Sequence, residues 1–178
     1  MNNCHSAKLF LATACLGLML AATDAAAFAS GRVLRQNSSG GVTGGSFHAG
    51  RGPNGGGFAS GRAINTDGAG NGSVVSGGAF RAANGTTGAR AGKTTWNADG
   101  SASHQSGFRA SGAKGSAQSS GSATRSADGT VNQSRTTTAT SSATGDTRST
   151  TESCSSGNGV TRTTTCTDAA GNTIACAH

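Results

Sequence analysis

Large apolar side chains are what this sequence has least of. From residue 28 onward Leu, Ile, Val and Phe total 14 of 151 residues. That is well below the roughly 20% at which a chain can bury enough surface to offset its ordering entropy. After Phe108 the large aliphatics are Val131, Val160 and Ile174 alone. A conventional globular core is excluded. Acidic residues are scarce too. Beyond residue 27 they are Asp67, Asp99, Asp128, Asp146, Glu152 and Asp168, with no two spaced for acid–base work. His48, His104 and His178 fall in separate segments, and no nucleophile–base arrangement appears. "GAGNG" and similar runs match phosphate loops by glycine density alone. These absences point away from an enzyme, a cofactor or a small-molecule substrate.

The N-terminus is different in kind. Residues 1–27 read as a helical secretory signal peptide: Lys8 supplies a positive start, Leu9 to Ala22 is an apolar stretch of 14 residues, and Ala25 and Ala27 occupy an A-x-A site. Cleavage after Ala27 or Ala29 fits. The stretch is short of the roughly 20 residues a membrane-spanning helix needs. The expectation is a secreted chain (periplasmic, cell-surface or extracellular) in an oxidising compartment, meeting a membrane only through the cleaved signal peptide.

What the mature part does have is glycine, hydroxyls and arginine. It carries 11 Arg and 2 Lys against 5 Asp and 1 Glu. Arginine favours planar, bidentate contacts with phosphate, sulfate or carboxylate. Residues 28–82 are Gly-rich, with "FASGR" at 28–32 and 58–62, "FHAGR" at 47–51 and "GGAFR" at 77–81, echoed by "SGFR" at 106–109. Every phenylalanine beyond residue 27 is followed by an arginine one or four places later. The composition predicts a largely irregular, low-complexity segment over 28–82. Its Phe and Arg are also a pattern in which rings stack on bases while guanidinium groups meet phosphates. Arg32, Arg51, Arg62, Arg81 and Arg109 are the candidate polyanion contacts.

Residues 83–178 repeat with a period of about 15. A small residue, a polar residue and Gly recur in "ANGT" (83), "ADGS" (98), "AKGS" (113), "ADGT" (127), "ATGD" (143) and "GNGV" (157). Asn-Gly and Asp-Gly favour tight hairpin turns. Between the markers side chains alternate. Thr161, Thr163, Thr165 and Thr167 share one strand face, as do Thr147, Ser149, Thr151 and Ser153, and Ser134, Thr136, Thr138 and Thr140. Threonine favours strands. The fold expected is all-β: repetitive antiparallel hairpins in an up-and-down sheet, or a short-coil β-solenoid.

The reactive chemistry lies in the tail. Cys154, Cys166, Cys176 and His178 could be drawn as a zinc set, but with gaps of 12 and 10 they lack the paired knuckle spacing of structural zinc sites. Export favours a disulfide. A three-residue loop at Ala170-Gly171-Asn172 would place Cys166 opposite Cys176, close enough to bond. A turn at Asn158-Gly159 would set Cys154 near Thr163, leaving it as a free thiol or an intermolecular link. A stacked coil would instead put Cys154 over Cys166. Sequons at Asn37, Asn71, Asn84 and Asn132 matter only where a glycosylation pathway exists.

"TDAAGNT" at 167–173 resembles the D-x-x-G-N turn of Rhs/YD-repeat proteins, large bacterial β-shell proteins, over one hairpin and without their preceding Tyr. The signal peptide, "GPNGG" (52–56) and "VTRTTTCT" (160–167) resemble uncharacterised secreted Gly/Ser/Thr-rich repeat proteins of Gram-negative bacteria. That resemblance implies export to a surface or matrix. The function expected is that of an exported, non-enzymatic structural or adhesive repeat protein, self-associating or meeting cell-surface or matrix polymers. The alternatives are a module binding polyanions (extracellular DNA, lipopolysaccharide or acidic polysaccharide) and, more remotely, an ice-surface binder suggested by the T-x-T-x-T-x-T face.

Overall fold

The computed structural model describes residues 27–176. Most of the expected signal peptide, and His178, lie outside them. The described residues form β1 (Ala27–Gln36), β2 (Val42–Arg51), β3 (Gly57–Thr66), β4 (Gly72–Arg81), β5 (Thr87–Trp96), β6 (Ala102–Gly112), β7 (Gly115–Arg125), β8 (Val131–Ser141), β9 (Thr147–Ser155), β10 (Gly159–Thr167) and the short β11 (Thr173–Ile174). Each strand runs antiparallel to the next, and spatial order equals chain order in one open sheet. The all-β, up-and-down hairpin expectation holds. The solenoid alternative falls, because stacked coils require parallel ladders.

One expectation is corrected. Residues 28–82 are not irregular: they supply β1 to β4, in the same ladder as the rest. Composition misled because glycine weakens a strand only when nothing replaces its missing side chain. Here aromatic rings from neighbouring strands cover several of the strand glycines.

The connections explain the period. Seven of them are five-residue loops in which the first N–H donates to the fifth carbonyl: 37–41, 52–56, 67–71, 82–86, 97–101, 126–130 and 168–172. The fourth residue is always glycine with φ between 77° and 96°. In all but 67–71 the fourth N–H also donates to the first carbonyl, a type I turn closed by a left-handed glycine, a connection whose twist matches that of the flanking strands; 67–71 carries a second left-handed glycine, Gly68 (φ 75°), in place of that turn. Gly85 shows what selects the residue. Its φ is 82° and no atom lies within 4 Å of where a Cβ would sit, so the dihedral decides and not crowding.

That geometry moves the tail register by two residues from the expected one. The left-handed glycine must end the three-residue loop, so the loop is Ala169-Ala170-Gly171, and Cys166 faces Ile174. Upstream, Gly157 and Gly159 both have positive φ (92° and 73°), which draws the turn back to 156–158. Cys154 consequently pairs with Val160 and Gln133, not Thr163.

The described residues have no interior in the usual sense. The buried hydrophobic residues are Ala59 and Cys166. Strands touch their ladder neighbours and little else. Backbone pairing, cross-strand side-chain contacts and the loop hydrogen bonds therefore hold the sheet together.

Candidate binding faces

In a strand successive side chains point to opposite faces, and directly paired residues share one. Following the ladders from Phe28 therefore assigns every strand position. One row across the sheet reads Phe28, Gly50, Phe58, Phe80, Gly88. The next on the same face includes His48, Arg90 and Phe108. The third carries Arg32, Arg62, Arg135, Glu152 and Arg162 among Ser and Gly. The fourth holds Leu34, Ile64, Val74 and, at the far end, Cys154 and Val160. This aromatic face takes Trp96 and all the large apolar residues except Val33, Phe47 and Val75, which point to the other side.

Its rings lie over glycines. A Cβ built on Gly50 would come within 2.8 Å of Phe58 and 3.5 Å of Phe28; one on Gly88 would clash with Phe80, and one on Gly72 with Trp96. Each ring thus reaches over a glycine of a neighbouring strand, and Phe58 and Phe80 remain 43% and 41% exposed.

Charge is sorted between strands and loops. Of the 13 Arg and Lys beyond residue 27, all but Lys114 lie on strands; of the acids, only Glu152 does. The five aspartates sit in the connections, where Asp67, Asp99, Asp128 and Asp168 accept backbone N–H groups of their own loops. Asp67 accepts from the N–H groups of Ala69 (2.8 Å) and Asn71 (3.1 Å) and from Asn71 Nδ2 (2.6 Å). Asp168 repeats the arrangement with Asn172. D-x-x-G-N is thus one turn chemistry used twice, at 67–71 and 168–172. Hydrogen bonds to the ionised form lower these pKa values. Side-chain bonds from Asn71 and Asn172 are the main cause at Asp67 and Asp168, the Ser101 side chain at Asp99, and the Thr130 backbone N–H at Asp128.

The expected polyanion contacts divide between the faces. Arg32 and Arg62, four residues after a phenylalanine, share its face. Arg81 and Arg109, one residue after, point away from it. They lie with Arg51 on the opposite face, where Arg51 and Arg81 flank Gly57 in one row. The sequence pattern missed Arg90, which faces Phe108 across the β5–β6 ladder. Counting register from the two flanking glycine turns would have found it. At the far end two arginines are engaged. Arg135 donates to Ser119 (3.0 Å) and Ser106 (3.1 Å), and Arg162 pairs with Glu152 at 3.3 Å.

The opposite face of β7 to β10 is a hydroxyl array. Thr161, Thr163, Thr165 and Thr167 face Ser153, Thr151, Ser149 and Thr147, which face Ser134, Thr136, Thr138 and Thr140. Hydroxyls pair across β8 and β9, as in Thr136–Thr151 (3.0 Å) and Thr140–Thr147 (2.9 Å). The faces expected from alternation are those observed.

Cys166 and Cys176 are joined, with Cα atoms 5.3 Å apart, which removes two of the four ligands of the zinc drawing. Cys154 is an exposed thiol. Among the described residues no helix is long and apolar enough to cross a membrane. Comparison with known protein families, curated proteins and solved structures finds no match.

Proposed function

We propose that this chain is an exported structural or adhesive protein that works as an extended binding surface at the cell surface or in an extracellular matrix. The observation that carries the reading is the single layer: eleven strands with both faces open and two hydrophobic residues buried. A sheet that covers neither face is marginal by itself and gains stability from whatever lies against it. The disulfide, and a leader with the features of a signal peptide, support export. The resemblance to secreted Gly/Ser/Thr-rich repeat proteins of Gram-negative bacteria agrees with it. At high concentration the mature chain should self-associate or adsorb to cell-surface polymers in sedimentation and pull-down assays. A chain that stays monomeric, binds no amyloid dye and adsorbs to nothing would end the reading.

A second reading, a polyanion-binding module, is supported by the charge sorting. Apart from Glu152, which pairs with Arg162, cations occupy the faces and carboxylates the rims, so an anionic polymer lying on either face meets mostly positive charge. Dextran sulfate should bind at low salt and dissociate steeply as salt rises; no binding at low salt removes it.

A further inference from the structure

We infer that the aromatic face of β1 to β6 is a platform for single-stranded nucleic acid, with bases stacking on Phe28, Phe58 and Phe80 and phosphates held by Arg32, Arg62 and Arg90. The inference rests on the polyanion reading and goes beyond it by naming the face, the polymer and the residue roles.

Three observations meet on this face. The first is charge. Among the described residues, β1 to β6 hold no carboxylate, while Arg32, Arg62 and Arg90 stand exposed on this one side. A second copy of the chain docking here would oppose arginines to arginines, so charge complementarity selects an anionic partner instead. The second is ring placement. Because Gly50 and Gly88 lack a Cβ, the Phe58 and Phe80 rings extend across the sheet over them and stay exposed. Base stacking on exposed rings is tolerant of sequence. A sulfated or carboxylated polysaccharide would use the arginines but has no planar base to seat on the rings. Duplex DNA keeps its bases inside the stack. The third is layout. Phe28 and Phe58 are two strands apart, about 9.6 Å, with a shallow depression of about 580 Å³ between them. The arginine row runs parallel to the ring row, roughly 13 Å further along the strands, and Arg90 lies between the two rows. An extended strand crossing the sheet along the rings therefore has cations along one flank.

The experiment uses the full processed chain, labelled oligothymidine as the probe, and dextran sulfate as an anion without bases. Oligothymidine should bind at low salt. Replacing both rings (Phe58→Leu with Phe80→Leu) should weaken it about tenfold or more and leave dextran sulfate unchanged. Arg62→Gln with Arg90→Gln should weaken both polymers and flatten the salt dependence of each. Arg81→Gln, on the opposite face, should leave oligothymidine binding unchanged. Circular dichroism establishes that each variant keeps its strand signal. Should the ring pair unfold the sheet, Gly88→Ala serves in its place, since a Cβ there lifts the Phe80 ring, and the same loss is expected for oligothymidine alone. Dextran sulfate binding with ring-independent oligothymidine binding would overturn the platform and leave the polyanion reading standing. Failure of both polymers to bind at low salt would overturn both.

Discussion

At the scale of single residues the loops carry the specificity. Gly85 sits at φ 82° with open space around it, so Gly85→Ala should cost about 1–2 kcal/mol from backbone strain alone, with no clash. Local hydrogen exchange across the 82–86 turn would read this; an unchanged exchange rate would mean the loop shifts to another turn type. The aspartates give the loops a pH dependence. Asp67, Asp99, Asp128 and Asp168 have folded pKa values below the ordinary 3.8 because the ionised form accepts loop hydrogen bonds. A depressed folded pKa means the stabilisation is complete above the unfolded value and fades as pH falls through the lower, folded one. Asp99 and Asp128 are exposed, Asp67 and Asp168 are half-buried, and all four lie in loops, so the expected effect is local. Amide protection at Ala69, Asn71 and Asn172 should persist at pH 5 and decline below about pH 4, while mid-strand amides keep theirs. Asp67→Asn should flatten the pH response at Ala69 and Asn71.

At the scale of elements the sheet's two ends differ. β1 leaves one side of ten residues without a strand partner among the described residues, whereas β10 is partly covered by the two-residue β11. So short a strand cannot hold itself by ladder bonds; the Cys166–Cys176 bond keeps it in place. Closing a loop of that size is worth about 2–3 kcal/mol in the chain-entropy account. Cys166→Ser with Cys176→Ser should therefore free β11 and speed exchange in the 168–172 turn, leaving β2 to β8 unchanged. Loss of protection throughout would mean that the staple supports the whole sheet. This end also shows how far the sequence could be read. Alternation assigned the Thr faces of β8 to β10 correctly, since side-chain parity survives small errors in loop position. The pairing of Cys166 with Cys176 came out right from a register two residues wrong, because the chain beyond Ile174 brings Cys176 back. The ring-and-arginine pattern was legible, but which arginines share a face with the rings was not. Phe80-Arg81 and Phe58…Arg62 look alike as motifs, yet odd and even spacing send their arginines to opposite faces. Arg90 belongs to no local motif and meets Phe108 only through the register.

At the scale of the whole molecule the sheet is close to one-dimensional. Each strand contacts its two neighbours, so stability should be a sum of strand and interface terms. Loops on the same edge recur every two strands, and from β1 to β6 that repeat is uniform: the loops at 37–41, 67–71 and 97–101 lie on one edge and those at 52–56 and 82–86 on the other. A deletion that respects it should be tolerated. Removing residues 53–82 joins Gly52 to Ala83, and the new loop Gly52-Ala83-Asn84-Gly85-Thr86 keeps glycine at its fourth place. β5 then takes the position of β3 beside β2, with Thr87 opposite Arg51 where Gly57 stood. The expected product is a nine-stranded sheet whose β6 to β10 amides exchange as in the parent, because no contact of theirs has changed. It lacks Phe58, Phe80 and Arg62, so oligothymidine binding should fall with the fold intact. That separates the platform from the scaffold without a point substitution. Loss of protection as far away as β9 and β10 would show long-range cooperativity and contradict a sheet built by nearest-neighbour contacts alone.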